Sequence, residues 1–549
     1  MADESFPKIG HFKDVASFRR HLSAIGVHLP CDDQILSANE HSPLAHSLNI
    51  GRYTVGNRWC IHPMEGWDGT TTGEPTEHTL RRWQHFGESG AKLIWGGEAF
   101  AVQEDGRANP NQLGVIDGDV PRAERGAIAL LKHLTDAHRK RFGTTDDLLV
   151  GLQLTHSGRF CRPNDKGKLE PRIAYHHPIL DHKFHISPDD DSVVMTDDYI
   201  ERVIRNYVRA AGIAQRAGFH FVDVKHCHGY LGHEFLSAFT RKGKYGGDFE
   251  GRTRFCREII QGIQVEYPGL LIGVRLSAFD HPPFRPDPMR SSNGKPGPGI
   301  PEPFAEHLPY LYGFGCDLNN PLEPDLREPI DFIHRLNQLD VKLINVSCCS
   351  PYYNPHFQRP AIFPPSDGYQ PPEDPLFGVH RQIEIVRQLK AACPDICDHY
   401  LNECAACDGI VYWNDGAPGL ARLGEWRSRP ADPFNDHEPV DASASAIAAQ
   451  GLLRLGRYLG GERGKRYWQA GLTITRTLLG DTYLATSERH EGSLLHSIYH
   501  RPNGWDYIPP GHKVPCGESS MWGDYHLLEL GVFLERIIQR KLYLTFFDA

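Results

Sequence analysis

The chain runs to 549 residues, 40% hydrophobic and 23% charged, which is too long for one ordinary core, so two or more domains are expected, with a large barrel a natural candidate for one of them. Its 59 Lys and Arg face 69 Asp and Glu, a formal net charge of −10 with no long run of either sign; this gives no electrostatic reason for a nucleic-acid or membrane partner and points to a small-molecule substrate. The polar first segment and the lack of any uninterrupted apolar stretch of about 18 residues lead us to expect a soluble, cytoplasmic protein, and thirteen cysteines without a matching pair of motifs read as reduced thiols rather than a disulfide framework or a four-cysteine zinc site.

In chain order, apolar runs at 57–64 (NRWCIHPM), 91–102 (AKLIWGGEAFAV), 147–156 (DLLVGLQLTH), 219–227 (FHFVDVKHC), 270–278 (LLIGVRLSA) and 341–349 (VKLINVSCC) predict buried parallel strands. Between them, TEHTLRRWQHFGESG, RAERGAIALLKHLTDAHRKRF and TDDYIERVIRNYVRAAGIAQRAG carry apolar residues at helical spacing, with Thr or Asp near the start and Gly near the end. Such alternation predicts an α/β fold with right-handed crossovers. The fifth and sixth runs are followed by long Pro- and Gly-dense loops, of the kind that build the active-site face of a barrel. A helix is predicted at 375–395. Beyond it the alternation stops, and the helical patterns at 441–460, 462–484 and 519–542 predict an all-α architecture, with Ala442, Ala444, Ala446, Ala448 and Ala449 allowing close helix approach.

Chemistry concentrates after the fourth run. In FHFVDVK the alternation puts Phe221, Asp223 and Lys225 on one face, so Asp223 and Lys225 are expected to pair inside the barrel. Lys225 falls at the carboxyl end of the strand, and His228 and Tyr230 follow on the loop that opens there. Two donors beside a phenol can polarise a carbonyl oxygen and protonate the neighbouring carbon. Two other readings compete: a metal site from His226, His228, His233 and Glu234, opposed by the positive charge of Lys225, and polar residues merely satisfied at a strand end.

The stretch VDVKHCHGYLGHEFLSAFTRKGKYGGDFEGRTRF resembles the signature of the Old Yellow Enzyme family, flavin-dependent (β/α)8-barrel ene-reductases. Four other segments in the right order extend the resemblance over roughly 45–395. It implies FMN as cofactor, NAD(P)H as reductant, and an activated alkene as substrate. By the same resemblance Pro63, Met64 and Glu65 hold the flavin ring, the Ala99 backbone and the Gln153 amide meet its pyrimidine edge, and Arg275 sits near N1, where a positive charge favours the anionic reduced form. Lys225 and His228 are similar to the pair that grips the substrate carbonyl, Tyr230 to the proton donor, and Trp67 to an aromatic lining the substrate pocket. The chain departs from the family pattern at Lys225, where His or Asn-type donors are usual, and at Glu65, where Thr or Cys is common.

The resemblance also implies two more βα units whose loops cradle the flavin phosphate; after Pro394 the chain reads DICDHYLNECAACDGIVYWNDGAPGLARL and supplies no such loops. The expected fold is therefore an incomplete (β/α)8 barrel. The final segment, through DGIVYWND, DASASAIAAQGLLRL, LLH and GESSMWGDYHLLEL, resembles the C-terminal part of the unsaturated glucuronyl hydrolases of glycoside hydrolase family 88, (α/α)6 barrels whose catalytic carboxylates lie in the missing half. Hydrolysis is not carried over to Asp408, Asp415 or Asp524, and Asp441 and Trp522 are at most a sugar-binding surface. The expected organisation is an extension at 1–44, a barrel at 45–395 and a helical segment at 396–549. The alternatives to an ene-reductase are a carbohydrate-binding or hydrolase-like protein and an impaired fusion of two partial domains.

Overall fold

A computed structural model describes residues 6–541 apart from 41, 51, 293, 342, 363–367, 393–399, 415–416, 418, 488–489 and 502–503. Asp415 and the expected boundary near 395 lie outside the described residues. Contacts divide the chain into two compact units, Met1–Ala392 and Cys393–Ala549. None of the helices among the described residues is long and apolar enough to cross a membrane.

The first unit is built on a parallel sheet of seven strands: β1 (Cys60–Ile61), β2 (Leu93–Ile94), β3 (Ala99–Ala101), β4 (Leu149–Thr155), β5 (Phe221–His226), β6 (Leu271–Ser277) and β7 (Leu343–Ser347). Their order is β1-β2-β4-β5-β6-β7, with β3 pairing the later part of β4. The run at 91–102 was expected as one strand and is two. Gly96 and Gly97 interrupt it at φ +146° and +52°, where a side chain is strained. Among the described residues no strand joins the sheet after β7.

Odd-numbered residues of β4 to β7 face inward, as the two-residue period requires. At the amino ends of the strands, Trp95, Leu149, Phe221 and Leu343 pack with Ile50 and Val55 of an antiparallel hairpin that closes the floor. Gly151 is needed there, because a Cβ would lie 2.3 Å from the Phe221 ring. The sheet curls far enough for Asn345 on β7 to donate from Nδ2 to His62 Nδ1, just past β1, at 2.9 Å. First and last strands are thus in side-chain contact across an incomplete barrel.

Helices cover the outside. Asp197–Ala217 is representative: Thr196 caps it by accepting from the Tyr199 N–H, Gly218 ends it at φ +97°, and Ile200, Val203, Tyr207 and Ala211 form its buried stripe. The buried Ile200 and Val203 side chains each contribute roughly 1.5–3 kcal/mol. The N-terminal helix Val15–Ala24 belongs to this unit, with Leu22 packed on Leu376 and His21 Nε2 2.8 Å from Asp374 Oδ2. The helix expected at 375–395 is observed as Pro375–Ala392.

In the second unit the helices Ala442–Leu459, Gly461–Leu478 and Met521–Ile538 enclose Leu452, Leu453, Ile474, Leu478 and Leu530. Of the small residues expected to allow close helix approach, Ala442, Ala446 and Ala449 are buried. Two helices also approach closely between Gly456 and Gly464: a Cβ on Gly464 would lie 2.0 Å from the Gly456 carbonyl oxygen.

Candidate active site at the barrel mouth

Register brings the site together. Gln153 pairs with Asp223 across β4 and β5, and Lys225 with Arg275 across β5 and β6, so four polar side chains of one parity project from neighbouring strands into the barrel. Asp223 does not pair with Lys225. Its Oδ2 accepts from Gln153 Nε2 at 2.6 Å and its Oδ1 from the Arg275 backbone N–H at 2.7 Å. Burial raises the Asp223 carboxyl above its ordinary value, the two hydrogen bonds opposing.

Lys225 pairs instead with Glu65, from the loop after β1. Nζ lies 3.0 Å from Glu65 Oε1, with both side chains under a tenth exposed. The other carboxylate oxygen, Oε2, accepts from the Tyr230 hydroxyl at 3.0 Å and from Trp67 Nε1 at 3.1 Å. Nζ also stands 3.5 Å from the centroid of the Tyr230 ring, a close cation–π contact in a desolvated place. Trp67 adopts φ +50°, an uncommon conformation for a bulky residue, and is 42% exposed. Burial first and the Glu65 carboxylate second push the Tyr230 phenol well above its usual range. It therefore stays protonated at neutral pH.

His228, at φ +66°, is set by its backbone: its N–H donates to Ser277 Oγ at 3.0 Å and its carbonyl accepts from Ser350 Oγ at 2.8 Å. Its Nε2 lies 2.9 Å from Ser347 Oγ and 3.3 Å from Gln358 Nε2. Burial, with Arg275 and Lys225 adding, holds the imidazole well below its usual range, so it is neutral.

Of the residues expected to meet a flavin, Arg275 fits best. The Arg275 guanidinium reaches the Pro63 carbonyl oxygen only at 3.5 Å, and its buried Nε has no hydrogen-bond partner among the described residues. That is a half-buried cation short of acceptors, and it fits a ring that gains negative charge on reduction. The Ala99 carbonyl, by contrast, already accepts from Gln112 Nε2 at 2.8 Å, and the Gln153 amide nitrogen is taken by Asp223. Met64 is 66% exposed.

The four residues of the metal reading have separate partners. Glu234 pairs with Arg159 at 2.7 Å, which also binds Asp181; His233 Nδ1 accepts from the Gly229 N–H at 2.9 Å; His226 Nδ1 lies 3.1 Å from the Val224 carbonyl. No metal-ligand cluster occurs among the described residues.

Sequence reasoning missed Tyr352, whose hydroxyl lies 2.6 Å from that of Tyr230. The one signal available was the Tyr352–Tyr353 pair five residues beyond the end of β7, at the active-site end of a strand.

Residues 43–284 match the NADH:flavin oxidoreductase / NADH oxidase family, a little under half of the chain. The NADPH dehydrogenase of Listeria welshimeri is 31% identical over 247 residues, 44% of this chain and 65% of that protein. The NADPH dehydrogenase of Bacillus subtilis is 30% identical over 241 residues, 43% of this chain and 63% of that protein. The matched part of the chain thus spans just under two thirds of the length of these relatives. Among solved structures, the old yellow enzyme homologue from Zymomonas mobilis is 20% identical with a TM-score of 0.39, over 55% of this chain and 73% of that one.

Proposed function

We propose that the first unit binds FMN at the carboxyl ends of its strands and acts as an NAD(P)H-dependent ene-reductase of the Old Yellow Enzyme type, in the cytoplasm where that reductant is at hand. The sequence match over 43–284 supports this. The observation that carries it is the convergence of Lys225, Tyr230, Glu65 and Arg275 at one end of adjacent parallel strands, the end at which parallel barrels do their chemistry. Arg275 and the Pro63 backbone would hold the flavin ring. When bound, FMN supplies the two-electron store that takes hydride from NAD(P)H and returns it to an alkene carbon.

The chain's own residues do the rest. Lys225 and Tyr230 donate to the two oxygens of Glu65, which therefore occupies the place of a polarised substrate oxygen. An α,β-unsaturated carbonyl compound displaces that carboxylate and takes over the Lys225 donor, so electron density drawn toward its oxygen is stabilised where it develops. Neutral His228 orients the same oxygen. Tyr230, kept as a phenol, delivers the proton to the α-carbon, and the Tyr352 hydroxyl at 2.6 Å passes on a replacement proton drawn from solvent. The test is to mix the purified protein with FMN, add NADPH without oxygen, and follow the flavin band. Bleaching by NADPH and recovery on adding 2-cyclohexenone are expected; a colourless protein that takes up no FMN overturns the reading.

A second reading, sugar binding by the C-terminal unit, is favoured by aromatic stacking: the Tyr499 ring stacks with Trp505 at 5.7 Å and with Trp522 at 5.4 Å, at interplanar angles of 25° and 28°. Hydrolysis is not favoured, because Asp441 and Asp524 accept from backbone N–H groups at Ser443, Ser493 and Leu494 and act as caps and loop anchors. Quenching of Trp fluorescence by an unsaturated uronic disaccharide, lost in Trp522→Ala, would support this reading; no quenching would remove it.

A further inference from the structure

We infer that a cleft outside the barrel mouth, beside the helix Asp197–Ala217, binds a phosphate-bearing small molecule. While its apolar stripe packs inward, this helix carries Tyr199, Arg202, Asn206 and Arg209 at i, i+3, i+7 and i+10, hence on one face. They line an open cleft of about 510 Å³, whose other walls come from the loops after β3 and β4. That volume suits a small ligand, and the cleft shares no lining residue with the Lys225–Tyr230 cluster.

Four carboxylates border the cleft, and each is already engaged. Asp105 accepts from the Tyr199 hydroxyl at 2.6 Å and lies 3.7 Å from Arg172. Glu104 is 3.6 Å from Arg107, and Asp117 is 3.1 Å from Arg122. Glu170 accepts from Asn164 Nδ2 at 3.1 and 3.3 Å. Arg202 and Arg209, in contrast, make no ion pair among the described residues. Arg202 rests over the Tyr199 ring at 4.7 Å; Arg209 Nε is closed off from water without a hydrogen-bond partner. Two such planar forks on one helix face are groups that bind phosphate oxygens bidentately, a geometry a halide does not use.

The test is calorimetric titration of the full chain with inorganic phosphate and with adenosine 5′-monophosphate, against chloride at matched ionic strength. Phosphate is expected to bind where chloride does not, and Arg202→Gln and Arg209→Gln to weaken it by about tenfold or more each, the loss of a charge-assisted contact. Arg205→Gln, on the same helix but outside the cleft, should bind as the wild type does. Tighter binding of the nucleotide identifies a nucleotide site, and equal binding a site for the free anion; either supports the inference. It is overturned if phosphate binds no better than chloride, if both cleft variants bind like the wild type, or if Arg205→Gln is as impaired as they are.

Discussion

On the proposed reading, replacing Tyr230 by Phe should separate proton delivery from hydride transfer. The ring stays, and with it the 3.5 Å contact from Lys225 Nζ and the edge contact with Phe160 at 5.7 Å, so the pocket should keep its shape. What disappears is the hydroxyl, which bonds Glu65 Oε2 at 3.0 Å and Tyr352 at 2.6 Å. A positioned general acid is worth roughly 10²- to 10⁴-fold, or about 2.7 to 5.5 kcal/mol of barrier. Stopped-flow absorbance on FMN-loaded protein reads the two half-reactions apart. Reduction by NADPH, which needs no proton from this position, should change by less than about threefold, whereas reoxidation by 2-cyclohexenone should slow by the full factor. Tyr352→Phe leaves Tyr230 in place and removes only its resupply, so a loss of up to about tenfold, one hydrogen bond's worth, is expected. The reasoning is refuted if Tyr230→Phe reoxidises at the wild-type rate, or if both half-reactions slow equally.

Three further outcomes follow from packing and charge. A double-mutant cycle of Glu65→Gln with Lys225→Met, read by chemical denaturation, should give a coupling of at least about 2 kcal/mol, since removing one partner of a buried pair leaves the other uncompensated; a value below about 0.5 kcal/mol would dissolve the pair. Burial raises the Asp280 carboxyl to about 7 from its ordinary 3.8, against hydrogen bonds from Tyr353 and the His281 N–H. Because the folded value is the higher one, its contribution is complete below about pH 4, falls by about 1.4 kcal/mol per unit as pH rises toward 7, and is constant above. The thermal midpoint of the wild type relative to Asp280→Asn should decline over that window, and a pH-independent difference would contradict the assignment. Gly151→Ala should cost about 1–3 kcal/mol through overpacking on Phe221, with Phe221→Leu restoring part of it; an unchanged midpoint would mean the barrel floor is looser than described.

The pattern of apolar runs was enough to place the strands, because fully buried parallel strands announce themselves by composition, and β4 to β7 lie within the predicted runs. Side-chain parity on β5 was legible for the same reason. The partners were not. Asp223 and Lys225 share a face and were expected to pair, yet each is claimed by a group remote in sequence: Gln153 is 70 residues away and Glu65 is 160 residues away. Such choices are decided by sheet register and by where a loop returns, which no local spacing encodes. Tyr352 was hidden for a related reason, since the Pro-rich loop that carries it has no period to read. The split of 91–102 into β2 and β3 was visible in Gly96–Gly97, whose positive φ values break an otherwise continuous run.

The central claim is that a flavin ring is recognised by the mouth of an incomplete barrel through its own polar residues. Fluorescence titration of the protein with FMN and with riboflavin tests it most directly. The account predicts that both are quenched with affinities within a few-fold of each other, and that Arg275→Met weakens both by about tenfold, as loss of a charged hydrogen-bonding group would. Flavin fluorescence left unchanged by the wild-type protein would contradict it.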